Sequence, residues 1–300
     1  MAKALLIANP VAARTSPEVT ETVRRIFRAA GWQIDVRETA AATDSRRFAD
    51  EAVRSGVDVV AVFGGDGTTM QAAAALVGTD VALGLVPGGT GNILAGNLRV
   101  PTGPVQAAEL ILAGRSRRID LGRIERESGP QYFAVACGAG ADARIMGGTP
   151  VDSKRRFGIG GYFNTLFRVL PEVRSTRFTL TVDGERMAIQ AAVVLILNCG
   201  ELIPPLVRVR REAVPDDGFF DLIALAADTP WEVVRGVWRA IQNVVVGTGE
   251  TRYLWYARGQ AITIDADPPE PVQFDGDPDG ETPVTAVIQP GAIRIMAPER

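Results

Sequence analysis

The 300-residue sequence predicts an α/β protein of two domains, an open parallel-sheet domain followed by a larger, mostly antiparallel β-rich one of sandwich type. Three observations lead there. Strand-like and helix-like segments alternate over roughly the first 125 residues, the rhythm of a parallel sheet wound with helices. Two glycine-rich loops, at 64–69 and 87–92, each follow directly on a compact apolar run. Beyond about residue 120 the helical rhythm gives way to short strand-like runs separated by turn signals.

The elements follow in order. Residues 3–8 (KALLIA) read as a strand. Ser16 and Pro17 make an N-cap and first-turn pair, Val19, Val23, Ile26 and Phe27 recur at helical spacing, and Gly31 ends the helix over 17–30. Residues 32–37 are a second strand and 44–55 a second helix ending at Gly56. The runs 57–63 (VDVVAVF) and 81–86 (VALGLV) have the continuous apolar character of strands covered on both faces. Helices are expected at 68–77 and 103–113. Strands are then expected at 132–137, 176–183, 187–197, 219–225, 252–257, 260–265, 284–289 and 292–296, with Asp183-Gly184 as a hairpin turn. Two helical stretches, 158–170 and 230–246, interrupt them. The charged stretch at 114–129 (GRSRRIDLGRIERESG) suggests the boundary: a first domain over 1–122, joined by 287–300, and a second over 123–286.

Composition narrows the chemistry. There is no histidine, which excludes His-based triads and most zinc sites and leaves proton transfer to carboxylates, lysine, tyrosine or water. A net charge of -3 argues against nucleic acid as a partner. Cys137 and Cys199 lie in apolar runs, as buried thiols in a reducing compartment do. No apolar run approaches the roughly 20 residues needed to cross a bilayer. A cytoplasmic protein is therefore expected, with any membrane contact peripheral and transient. The run 156–170, preceded by Lys154 and Arg155, joins aromatic residues to arginines; it reads either as a core helix or as a surface touching anionic lipid. A homodimer stays open.

The loops carry the strongest signal. Gly64-Gly65-Asp66-Gly67-Thr68-Thr69 sits between a strand and a helix, where glycines bring N–H groups to a ligand and the helix N-terminus favours phosphate. Pro87-Gly88-Gly89-Thr90-Gly91-Asn92 repeats the arrangement on the same sheet edge. Neither is a Walker A loop or a GxGxxG fingerprint. A carboxylate amid phosphates calls for a divalent ion or a transferable proton, so Asp66 reads as a magnesium ligand or an activator of an incoming hydroxyl, with a structural cap as the alternative. Late in the chain Asp265, Asp267, Asp275, Asp277 and Asp279 cluster, and Asp275-Gly276-Asp277 is the part that reads as more than a solvated turn.

At this point the chain resembles the diacylglycerol kinase catalytic-domain superfamily, specifically the bacterial soluble lipid kinases related to sphingosine and ceramide kinases. The resemblance rests on Asn9-Pro10, GGDGTTMQ at 64–71, VPGGTGNILAGNL at 86–98, Arg118-Ile119-Asp120, CGAGADARIM at 137–146, AVPDDGFFDL at 213–222 and PVQFDGDP at 271–278. It implies a Rossmann-like nucleotide domain of the NAD kinase and phosphofructokinase kind, a β-rich lipid domain, and last strands that return to the first domain. It also implies ATP and Mg2+ as cofactors and transfer of the γ-phosphate to a primary hydroxyl of a lipid such as diacylglycerol or a sphingoid base, presented at a membrane surface. By carry-over, nucleotide is held by Asn9, Arg14, Thr39, Gly65, Asp66, Gly67, Thr68, Thr69, Met70, Gln71, Gly89 and Thr90. Asp277, Asp66 and Asp120 form the catalytic set, Asp277 standing where the family usually has the glutamate of D-G-E. The main-chain oxygens of Val214 and Phe219 with the Asp217 carboxylate make a metal site that holds the second domain in shape. Two other readings stay open: a kinase of a non-lipid small molecule such as NAD, and a catalytically impaired nucleotide-binding regulatory protein.

Overall fold

The computed structural model describes residues 1–127, 129–141, 143, 175–204, 207–208, 213–226, 232 and 254–299. The helical stretches expected at 158–170 and 230–246, and with them the membrane-facing run 156–170, lie outside the described residues. The chain divides into two units, Met1–Asp120 with Pro290–Arg300, and Leu121–Gln289.

In the first unit β1 (Lys3–Ala8), β2 (Gln33–Glu38), β3 (Val59–Gly64) and β4 (Ala82–Pro87) form a parallel sheet in the order β2-β1-β3-β4. The last part of β18 (Val284–Met296) adds in parallel beside β4, pairing Arg294 with Ala82. Helices α1 (Pro17–Ala29) and α5 (Pro104–Leu112) pack together with β2 and β4, while α2 (Asp44–Ser55) and α3 (Asp66–Leu76) pack together with β1, β3 and β4. Such cover explains why every residue of β3 and β4 is buried. Helix α1 starts as its sequence dictates: Ser16 Oγ accepts the Val19 N–H at 3.3 Å, Pro17 follows, and Thr20, Val23 and Phe27 turn inward. Gly31 then takes the left-handed conformation that ends it. The α2–α3 contact is close because α3 presents Ala72 and Ala73, both fully buried.

The second unit is a sandwich. One sheet contains the first part of β18, then β15 (Ala261–Asp267), β8 (Thr176–Val182) and β9 (Glu185–Ala191), all antiparallel. The other runs β14 (Leu254–Gly259), β13 (Phe220–Leu225), β10 (Val193–Leu197), β7 (Ala136–Gly140), β16 (Pro271–Phe274) and β17 (Asp277–Glu281). Alternate residues of β8 and β15 (Phe178, Leu180, Ile262, Ile264) meet Cys137, Val194, Ile196, Phe220 and Val272 of the opposing sheet in one core. Asp183 and Gly184, both at positive φ, turn the β8–β9 hairpin. Cys137 and Cys199 are buried thiols not joined by a disulfide. The remaining elements are the short α4 (Ile93–Asn97), β5 (Ser116–Ile124), β6 (Gln131–Phe133), and the small hairpin of β11 (Glu201–Ile203) with β12 (Val207–Arg208).

Several elements differ from expectation. The run 187–197 is not one strand: β9 and β10 belong to different sheets, with the corner at Ala192. The Ala192 N–H donates to Leu225 O at 2.9 Å and its carbonyl accepts the Ala141 N–H at 3.0 Å, so the corner is stitched on both sides. Conversely, 284–289 and 292–296 are one strand, β18, running through Pro290 and a left-handed Gly291. The chain passes between the units inside β5 and inside β18. The charged stretch read as a boundary does hold the division between the units, after Asp120, but it is not a linker: it contains β5, whose Ile119, Leu121 and Ile124 are buried.

The Ala192 corner rests on Gly140, which has φ +89° and would carry a Cβ 2.7 Å from Ala192 O. Gly140→Ala should therefore destabilise the protein by at least about 1 kcal/mol, the scale of a forced overpacking plus a left-handed alanine. Denaturant unfolding monitored by far-UV dichroism measures it; an unchanged midpoint would mean the corner has room to give.

Candidate active site

The sheet of the first unit reverses its direction of growth between β1 and β3, and ligands in open α/β sheets lie at the carboxyl ends of the strands flanking that point. The register brings those ends level: Ala8 lies beside both Glu38 and Phe63, and Gly64 beside Pro87. Asn9 follows β1 and ties it to the loop after β3. Its N–H donates to Phe63 O at 2.9 Å and its Nδ2 donates to Thr68 Oγ1 at 2.8 Å. Thr39, just beyond β2, is tied to β1 through its N–H to Ala8 O.

The two glycine loops form one floor. The N–H groups of Gly88 and Gly89 both donate to Gly64 O, at 2.8 and 3.2 Å. A Cβ on Gly89 would lie 2.7 Å from the Gly65 Cα, so this contact admits only glycine. Asn92 closes the second loop on itself: its Oδ1 accepts the Gly89 N–H and its Nδ2 donates to Gly89 O, with the backbone at φ 48°. Arg14 joins from the other side, its N–H donating to Gly88 O at 2.9 Å. Between the loops lies a recess lined by Gly64, Gly65, Asp66, Thr69, Asn92 and Leu94, no larger than about one water molecule. A ligand larger than water would have to lie over this floor and not inside it.

Helix α3 begins at Asp66 behind Gly65, and no side chain caps it. Its first-turn N–H groups and its dipole make a site for anionic oxygens. Gly67 and Thr90 are exposed at this edge, as are Arg14 and Gln71, while Thr68 and Met70 are half-buried. Thr69 is buried, with its N–H donating to Gly65 O. The Thr68 carbonyl accepts from Ser45 Oγ of α2 at 2.8 Å, which fixes the first turn of α3 from behind.

Asp66 is half-buried as a residue, but its carboxyl is tucked beneath the second loop. Oδ1 accepts the Leu94 N–H at 3.3 Å, so Asp66 caps α4 from the neighbouring loop. Burial raises its pKa, opposed by the N–H groups of Leu94, Ile93 and Asn92. Among the described residues no three acidic or cysteine side chains gather as a metal cage. Were a magnesium ion to bind at the loops, the Asp66 carboxylate lies there to hold it, and the other ligands would be phosphate oxygens and water, the usual mode for that ion.

The remaining predicted residues belong to other elements. Asp120 is buried in β5, where Oδ1 accepts the Gly291 N–H at 2.7 Å. Asp277, Val214, Asp217 and Phe219 belong to the second unit. Asp277 opens β17 and is exposed. Its neighbour Asp275 is the anchored member of the pair, accepting the N–H groups of Ala134, Val135 and Ala136 at 2.7, 2.8 and 3.0 Å. Asp217 accepts the Phe219 N–H through Oδ1 and Arg258 Nη2 through Oδ2. Ser45 and Asn92 escaped the reading of the sequence as site-shaping residues. Asn92 was open to detection, since an asparagine closing a glycine run is a natural left-handed residue; nothing local marks Ser45.

Comparison with known proteins places the chain in a family. Residues 3–124 match the diacylglycerol kinase catalytic domain, and residues 135–297 match the YegS C-terminal NAD kinase beta sandwich-like domain. A probable lipid kinase YegS-like of Chromohalobacter salexigens is 30% identical over 98% of this chain and 93% of its own. A diacylglycerol kinase of Bacillus subtilis is 24% identical, covering 100% of this chain and 97% of its own. Among solved structures, a diacylglycerol kinase from Bacillus anthracis superposes with a TM-score of 0.75 at 20% identity, covering 99% of this chain and 97% of its own. That likeness is one of fold.

One outcome tests the floor and another tests the start of α2. Gly89→Ala pushes the loops apart and should weaken nucleotide binding tenfold or more, a loss of about 1.4 kcal/mol, read by calorimetry; unchanged affinity would remove the loop contact from the site. Asp44, at the start of α2, accepts from Arg47 and from the N–H groups of Ala40 and Ala41, which holds its pKa at about 2. A carboxyl depressed in the folded state stabilises it above the unfolded value near 3.9, and that stability is lost as pH falls through the folded value. Wild type should therefore melt above Asp44→Asn at neutral pH, and the gap should close between about pH 4 and 2. A gap at pH 2 as large as at neutral pH would show that the charge is not its source.

Proposed function

The chain belongs to the family of the diacylglycerol kinase catalytic domain, and on that premise we propose that it is an ATP-dependent lipid kinase. The observation that carries the reading is the shared floor of the two glycine loops at the switch point, beneath an uncapped N-terminus of α3. That floor offers backbone N–H groups to a chain of phosphates without a P-loop lysine. The reaction is transfer of the γ-phosphate to a primary hydroxyl of a lipid such as diacylglycerol or a sphingoid base. The acceptor would be met at a membrane surface by peripheral contact; among the described residues no helix is long and apolar enough to cross one.

The chemistry asks for charge control more than for a strong base. Phosphoryl transfer passes through a loose transition state, so positioning and electrostatic stabilisation carry most of the rate. When bound, magnesium supplies charge balance to the phosphates, with Asp66 as its protein ligand. The N–H groups around Gly65 and Gly67 orient the phosphates. Asp66 also holds the second loop through Leu94, which couples the phosphate floor to α4. The attacking hydroxyl still has a proton to lose, and Asp277 takes it late in the transfer. Asp277 suits the task because it is exposed, whereas the Asp275 carboxylate is filled by three N–H groups.

The protein incubated with magnesium-ATP and a panel of diacylglycerol, a sphingoid base, phosphatidylglycerol and NAD should phosphorylate a lipid. Transfer to NAD alone, or nucleotide binding without transfer to any acceptor, would overturn the reading. Asp277→Asn should keep ATP affinity and lose about 10²-fold or more in kcat, the scale of a general base. Asp66→Asn should stop turnover and change the magnesium dependence of nucleotide binding. Normal turnover in Asp277→Asn, with Asp66→Asn dead and its magnesium response unaltered, would reverse the two roles.

A further inference from the structure

The turn over 213–219 carries the residues that family resemblance assigns to a structural cation: the main-chain oxygens of Val214 and Phe219 and the carboxylate of Asp217. The structure gives that carboxylate other partners. Oδ1 accepts the Phe219 N–H at 3.0 Å, closing the turn on itself. Oδ2 accepts Arg258 Nη2 at 2.7 Å. The same guanidinium lies over the Phe219 ring, 4.6 Å from its centroid, so one arginine grips both ends of the Asp217–Phe219 segment. Two residues further along, Gln260 Nε2 donates to Gly218 O at 3.3 Å. The β13–β14 pairing holds these groups in place, with Phe220 opposite Gly259 and Asp221 opposite Arg258.

These residues do not fit a divalent ion as well. A calcium or magnesium ion on Asp217 would share one carboxylate with a guanidinium at hydrogen-bond distance, setting three positive charges against it. Hard cations of this kind take six or more oxygen ligands, and the Asp217 carboxylate is already engaged on both oxygens, by the Phe219 N–H and the Arg258 guanidinium. A planar guanidinium needs no such cage: it donates to the carboxylate and stacks on an aromatic ring at once.

We infer that Arg258 replaces the metal at this turn, as a cation supplied by the chain itself. The 213–219 turn is then held without a divalent ion. The melting behaviour of the nucleotide-free full-length protein tests this without any turnover measurement, so the result stands apart from the kinase reading. Wild type should melt at the same temperature in EDTA and in millimolar magnesium or calcium. Any metal-induced rise should persist in Asp217→Asn, because its ion would be bound elsewhere. Arg258→Gln in EDTA should melt about 2–4 °C or more below wild type, the shift expected for losing about 1 kcal/mol in a domain of this size. Arg258→Lys, which keeps charge but not the fork, should fall between. Should Arg258→Gln fail to fold, manganese binding measured by electron paramagnetic resonance on wild type and Asp217→Asn serves instead, with equal binding expected. A metal-induced rise in wild type that Asp217→Asn abolishes, manganese bound by wild type and lost in Asp217→Asn, or an Arg258→Gln melting point equal to wild type in EDTA would each overturn the inference.

Discussion

The carbonyl of Gly64 is the point on which the site depends. It ends β3, and it accepts the N–H groups of both Gly88 and Gly89 from the loop after β4. That pair of bonds forms only because Gly64 and Pro87 are in register and no side chain stands between Gly65 and Gly89. Everything else on the floor adjusts to it. Asn92 adopts a left-handed backbone to close the second loop, Asp66 reaches under that loop to cap α4, and Arg14 leans its N–H on Gly88. The contact is backbone on backbone, which keeps the geometry stiff.

The acidic motif residues divide by what they hold. Asp66, Asp120, Asp217 and Asp275 each accept at least one backbone N–H, from Leu94, Gly291, Phe219 and the 134–136 segment respectively. Charge-assisted bonds of this kind are stronger than neutral ones, and here they pin loops that ordinary secondary structure leaves loose. A carboxylate can thus be required for activity while never meeting the substrate. Asp277, exposed beside the anchored Asp275, is of the other kind, and the contrast between the neighbours separates architecture from chemistry within a three-residue motif.

Burial and charge act together at Asp66. Desolvation under the second loop raises its pKa, while the N–H groups that hold it favour the ionised form. The carboxylate is therefore responsive to what lies over the floor: a cation arriving with the phosphates would lower its pKa, and removing Leu94's N–H from range would raise it further. The nucleotide floor and α4 are coupled through this one side chain.

The fold class was legible in the sequence because its signals are local. Ser16-Pro17 and Gly31 bracket α1, VDVVAVF is a strand covered on both faces, and Asp183-Gly184 turns a hairpin, each for reasons that lie within a few residues. The glycine loops were legible for the same cause, since a backbone that must approach another backbone leaves glycines behind it. What the sequence could not contain was partnership across distance. The split of 187–197 at Ala192 depends on Gly140 and Leu225, the joining of 284–296 into one strand on pairings with β15 and, at the far end of the chain, with β4, and the grip of Arg258 on Asp217 on a β13–β14 register. Local pattern reports which faces are apolar; only the folded chain decides which strand lies opposite, and so which carboxylate is bound to backbone and which is left open to solvent.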